Sequence, residues 1–289
     1  MNLLEELKPQ KDFFIGIDSD GCVFDTMEVK QKEFFIPNAV KHFELFAISK
    51  YVRETWEFVN LYSTTRGINR FPALVKVIDM LAQRPEIAEL GFKLPDMDPL
   101  REWIRKETKL GNPAFKEYVK NNPHPALEPV LKWTLAVNED IGKWLKETPP
   151  FPYARKSIER LSTLADAIVV SQTPHEALAR EWEEHSIDRY VRAIAGQELG
   201  TKTEHITMAA KGKYPDDRIL MIGDAPGDFR AAHDNGALFF PVVPGHENRS
   251  WKLFYEEALD KFISGNYRGE YQQRLISEFE KSLPDKPSW

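Results

Sequence analysis

Short apolar runs punctuate the chain: FFIGI at 13–17, AIVV at 167–170, ILMIG at 219–223 and LFFPVV at 238–243, with a weaker VRAIAG at 191–196. Each is nearly continuous rather than alternating, which predicts strands buried on both faces, as in a parallel α/β sheet. Helical patterns lie between them. YARKSIERLSTL (153–164) follows Pro152, a residue suited to a first helical position, and EALAREWEEHS (176–186) follows Thr173-Pro174, read as a cap and a helix start. From residue 152 onward helix and strand alternate, which predicts a doubly wound sheet.

Residues 27–149 have a different character. KQKEFFIPNAVKHF, KYVRETWEFVNLY, FPALVKVIDMLAQRP, LREWIRKETKL and PALEPVLKWTLAVNEDIGKWLKE carry helical periodicity and most of the tryptophans, with no strand pattern. Pro149-Pro150-Phe151-Pro152 ends this stretch stiffly. The expected organisation is an α/β; doubly wound parallel-sheet (Rossmann-like) core formed by 1–26 and 150–289. An all-helical cap domain, 27–149, is inserted directly after the first strand. Amphipathic helices at 250–283 are expected to pack back on the core.

Composition narrows the function without choosing it. The net charge of −6, from 39 basic and 45 acidic residues, argues against a nucleic-acid partner. No apolar run approaches the roughly 18 residues needed to cross a bilayer. The start, MNLLEELKPQKD, lacks a signal-peptide pattern. One cysteine, Cys22, excludes an internal disulfide and a cysteine-based zinc site. These features lead us to expect a cytoplasmic protein with no membrane partner; they leave its oligomeric state open.

The chemistry gathers where apolar runs end. The first ends in Asp18-Ser19-Asp20, the second in Ser171, and ILMIG in Asp224, with Asp228 four residues on; Lys202 lies in GTKTEHI. Strand ends of a parallel sheet converge on one edge, so these groups can meet despite their separation in sequence. In this order, Asp18-x-Asp20, Ser171, Lys202 and Gly223-Asp224-Ala225-Pro226-Gly227-Asp228 closely resemble the four motifs of the haloacid dehalogenase-like hydrolase superfamily. The inserted helices resemble the subgroup whose cap lies between the first and second motifs. Cys22 departs from the Thr or Val usual in that family.

The resemblance implies a Mg²⁺-dependent phosphohydrolase of small phosphorylated metabolites. Asp18 would be the nucleophile, forming an aspartyl-phosphate, and Asp20 the proton donor and acceptor. Ser171 and Gln172, with Lys202, would bind phosphate near a helix start. The metal would be held by the Asp18 and Asp224 carboxylates and the Asp20 carbonyl, with Asp228 behind them. Four carboxylates facing one lysine need added positive charge before a phosphate dianion can bind. The presence of Asp20 favours C–O–P chemistry over dehalogenation. A phosphomutase of the β-phosphoglucomutase type uses the same aspartate pair, and a catalytically silent phosphometabolite-binding protein is the third reading.

Simpler readings stand beside these. Lys211 and Lys213 compete with Lys202, and His175 is either a substrate contact or a solvated helix start. In STTRGINRF (63–71), Arg66, Asn69 and Arg70 either select the substrate's leaving group or belong to an interhelical turn. His246 is a strand-end loop residue or a substrate contact.

Overall fold

The computed structural model describes residues 3–289. The described residues divide into two compact units, one of residues 3–27 and 147–284, the other of 28–146 and 285–289. In the first, five strands form one all-parallel sheet: β1 (Phe14–Ile17), β2 (Asp166–Val170), β3 (Ala193–Ala195), β4 (Ile219–Gly223) and β5 (Leu238–Pro241). Their order is β3-β2-β1-β4-β5, so β1 is central, with Ile17 level with Val169 on one side and Ile222 on the other.

Successive strand residues point to opposite faces, and both faces are covered, which is why the strands read as unbroken apolar runs. Ile15, Ile17, Val169, Ile222 and Phe240 pack on one side with Ile158, Leu161, Trp182, Trp251 and Phe254. Phe14, Ile168, Val170, Met221 and Phe239 pack on the other with Ile206, Ala209, Ala232 and Phe279. The helices between strands are α1 (Pro152–Leu161), α2 (His175–Glu184), α3 (Lys202–Ala210) and α4 (Pro226–Asp234). A helical run over 247–263, π-helical at Phe254–Ala258, and the helix Glu270–Ser282 complete this unit.

The second unit is helical, and its described residues contain no strand. Its core is built on Trp56, Trp103, Trp133, Phe71 and Phe115; Trp56 meets Trp133 and Phe71 meets Trp103 edge to face, and Phe115 lies tilted against Trp103. Asp285–Trp289, which the sequence reading placed with the α/β unit, packs here instead. Thr64 Oγ1 donates to Asp285 Oδ1 (2.6 Å), and Trp289 meets the Phe58 ring and the Arg84 guanidinium. No helix of the described residues is long and apolar enough to cross a membrane.

Candidate active site

The carboxyl ends of β1 and β4 are neighbours, and each is followed at once by an aspartate. Asp18 continues the β1 ladder, its N–H donating to the Ile222 carbonyl (2.9 Å). The residue is 4% exposed, with Oδ1 accepting from the Ser19 N–H (2.8 Å) and Oδ2 facing Lys202 Nζ at 2.9 Å. Beyond β4, Asp228 folds back against Gly223 so tightly that a Cβ there would lie 2.3 Å from the Asp228 Cβ. Only glycine permits that approach. Asp228 Oδ2 accepts from the N–H groups of Asp224 (3.2 Å) and Ala225 (3.0 Å), and Oδ1 from Lys202 Nζ (2.6 Å).

Carboxylate oxygens of Asp18, Asp224 and Asp228 thus lie within 4.8 Å of one another, all three residues buried, with Lys202 against two of them. Burial pushes the Asp18 carboxyl well above the usual range, and Asp228 and Asp224 push it further, against the pull of Lys202. Burial also raises Asp228 despite Lys202. For Lys202, burial works against the charged form, but Asp18 and Asp228 overcome it and hold the ammonium. The Cys22 thiol beside them is pushed far up by burial and the same carboxylates, which removes it as a nucleophile.

Lys202 is the first residue of α3. Thr201 caps that helix: its hydroxyl accepts from the Glu204 N–H (3.2 Å), and Glu204 Oε2 accepts from the Thr201 N–H (2.7 Å). This reciprocal box, spaced T-x-x-E, fixes where the lysine side chain leaves the backbone.

Asp20 stands outside the carboxylate cluster. Its Oδ1 accepts from the Thr26 hydroxyl (2.5 Å) and its Oδ2 from the Thr173 hydroxyl (2.7 Å). Thr173 was expected to cap α2; its hydroxyl is instead spent on Asp20, and that helix has no side-chain cap. Gly21 turns the chain behind Asp20 at φ 78°, where a side chain would strain the backbone. Neither threonine had shown itself as a functional residue in the sequence.

Ser171 follows β2 and is 2% exposed; its N–H donates to Ala195 and its hydroxyl accepts from the Thr173 N–H (3.2 Å). The Gln172 side chain turns away to the Gly200 carbonyl (2.9 Å). His175 lies exposed at the start of α2, with Nδ1 3.0 Å from the Ile194 carbonyl. Lys213 bonds the carbonyls of Leu4 and Glu5, far along the chain from these groups.

Arg66, Asn69 and Arg70 lie in the helical unit, where each has a structural bond. Arg66 Nη1 donates to Leu61 O (2.8 Å), Asn69 caps the helix Arg70–Ala82 through the Phe71 N–H (3.0 Å), and Arg70 Nη1 donates to Asn138 Oδ1 (2.7 Å). Arg70 also lies over the Phe35 ring. His246 lines a small cleft with Phe240, Arg249, Ser250 and Glu278 beyond the end of β5.

No protein-family model matches this chain, and no curated protein does either. Solved structures do. A candidate phosphoglycolate phosphatase from Lactobacillus delbrueckii subsp. bulgaricus superposes with a TM-score of 0.50 at 17% identity, over 88% of this chain and 99% of the other. A haloacid dehalogenase-like family hydrolase from Streptococcus pneumoniae gives 0.44 at 15%, over 84% and 90%. A candidate β-phosphoglucomutase from Bacteroides vulgatus gives 0.45 at 13%, over 90% and 91%. Identities this low speak to fold. With β1 central in a 3-2-1-4-5 parallel sheet and a helical insertion after β1, the chain has a doubly wound α/β fold similar to that of the Lactobacillus structure.

Proposed function

We propose that this chain is a metal-dependent phosphohydrolase of small phosphomonoesters that works through an aspartyl-phosphate on Asp18. The observation that carries the reading is the buried group of Asp18, Asp224 and Asp228 with Lys202 between two of its members. One ammonium cannot balance three carboxylates and a phosphate dianion in so buried a place. The donors are all oxygens, which suits a hard cation such as Mg²⁺ and not a thiolate- or imidazole-seeking metal. The Asp18 and Asp224 carboxylates and the Asp20 carbonyl would hold it. When bound, it supplies neutralising charge for the phosphoryl oxygens.

The side chains then divide the work. Asp18 attacks phosphorus as the bond to the leaving oxygen breaks, and Asp20 gives that oxygen its proton. Asp20 next takes a proton from the water that cleaves the acyl phosphate, returning Asp18 as a carboxylate. Thr26 and Thr173 hold Asp20 by both oxygens in the resting state. Lys202, the Ser171 hydroxyl and the N–H groups leading into α2 are the phosphate donors; Gln172 contributes through its backbone. Asp228 orients Lys202. Burial of Asp18 and Ser171 favours a small ester over a bulky one.

The test is phosphate release from a panel of phosphomonoesters, with Mg²⁺ and with chelator. Release with Mg²⁺ that chelator abolishes supports the reading; silence from folded protein across the panel contradicts it. Net isomerisation of a sugar phosphate without phosphate release would reassign the chain as a phosphomutase.

A further inference from the structure

We propose that Trp182 is a positioning residue for phosphoryl transfer, acting through Ser19; this rests on the phosphohydrolase reading above. Ser19 separates the two aspartates assigned to the chemistry and is fully buried. All of its polar groups are engaged. Its N–H donates to Asp18 Oδ1 (2.8 Å), and its carbonyl accepts from the N–H groups of Cys22 (3.2 Å), Val23 (2.9 Å) and Phe24 (3.2 Å). Its hydroxyl accepts from Trp182 Nε1 (3.0 Å) and donates to Glu181 Oε2 (3.3 Å).

That last pair joins α2 to the turn between the aspartates. Trp182 is itself fully buried, edge-on to Phe24 at 6.1 Å. An indole N–H in such a place must have a partner, and a chain needing only packing could have used phenylalanine against alanine. The bond therefore fixes a direction as well as filling space. Asp18 inherits it: Ser19 N–H holds Oδ1 while Lys202 holds Oδ2, so the carboxylate cannot turn without breaking one of the two. A shift of Ser19 would rotate the nucleophile on one side and carry Asp20 on the other. In-line attack tolerates little of this; a displacement of about 1 Å can cost roughly 100-fold in rate.

The experiment uses full-length protein, Mg²⁺ and p-nitrophenyl phosphate, comparing wild type, Trp182→Phe, Ser19→Ala and the double variant, with thermal melting of each. Trp182→Phe keeps a ring against Phe24 and removes the donor together with part of the indole volume, whereas Ser19→Ala removes the acceptor with almost no change in volume. Each single variant should lose about tenfold in kcat with KM within about twofold, since binding groups are untouched. The double variant should be no slower than the slower single one, because both remove the same tie. Single variants with wild-type kcat overturn the proposal, whatever their melting temperature. Losses that multiply in the double variant overturn it too, because Trp182 would then act independently of Ser19. If Trp182→Phe does not fold, Ser19→Ala decides alone by the same split of kcat from KM. Wild-type protein that releases no p-nitrophenol contradicts the phosphohydrolase reading itself, and the proposal falls with it.

Discussion

Asp18 and Asp166 are each 4% exposed, yet their surroundings push them in opposite directions. Around Asp18 burial and two carboxylates favour the protonated form. Asp166, at the start of β2, is raised by burial, but the donors around it outweigh this and hold it below the usual range. They are the N–H groups of Gln10 (2.7 Å) and Lys11 (2.9 Å), the Tyr214 hydroxyl (2.8 Å) and Arg192 Nη1 (2.6 Å). The first arrangement resists ionisation until positive charge is added beside it, and the second locks a strand end. Because the folded-state pKa of Asp166 is depressed, its stabilisation is complete above the unfolded value of about 4 and fades as pH falls through the lower folded value. Asp166→Asn should cost about 2–4 kcal/mol at pH 7, since its amide turns donors toward donors. Urea unfolding at stepped pH should show that gap closing below about pH 4; a gap independent of pH would contradict the assignment. At this scale Asp18, Asp20 and Asp224 stood out in the sequence because polar residues directly follow apolar runs, whereas Lys202 ends no such run and was singled out by its place among the four motifs. Thr173 was misread because Thr-Pro suits a helix start locally, and nothing nearby reveals an acceptor at Asp20, 153 positions away.

The strands were legible for the reason they are stable: burial on both faces leaves no polar positions to interrupt the run. β4 matches ILMIG residue for residue, whereas β1 begins one residue later than FFIGI and β3 keeps only three residues of VRAIAG. The helix Asn112–Asn121 went unread because Gly111 and Pro113 look like loop punctuation, although proline there occupies the first turn, where its missing N–H costs nothing. What makes β4 part of a site is its last residue. Gly223→Ala would drive a methyl group into Asp228 and displace the oxygens that hold Lys202. Phosphate release should fall by about 100-fold, measured beside circular dichroism to confirm the fold. Retained activity would mean that Asp228 does not govern Lys202.

Each of the two units has its own core. The role of residues 285–289 had not been visible, because a short polar segment ending in one aromatic carries no periodicity. In the structure Trp289 lies 4.5 Å from the Arg84 guanidinium, which is 3% exposed and also stacks on Tyr51. Trp289→Ala should therefore loosen the helical unit by about 1 kcal/mol, seen as faster amide exchange in the helix Ser49–Leu61. Unchanged exchange would show that the segment contributes nothing there. The central claim, that Asp18 takes the phosphoryl group, is tested most directly by acid-quenching the enzyme during turnover and mapping the modified peptide by mass spectrometry. The account predicts phosphoryl on Asp18 in wild type and neither adduct nor phosphate release in Asp18→Asn. Phosphate release that persists in Asp18→Asn, or an adduct on another residue, would contradict it.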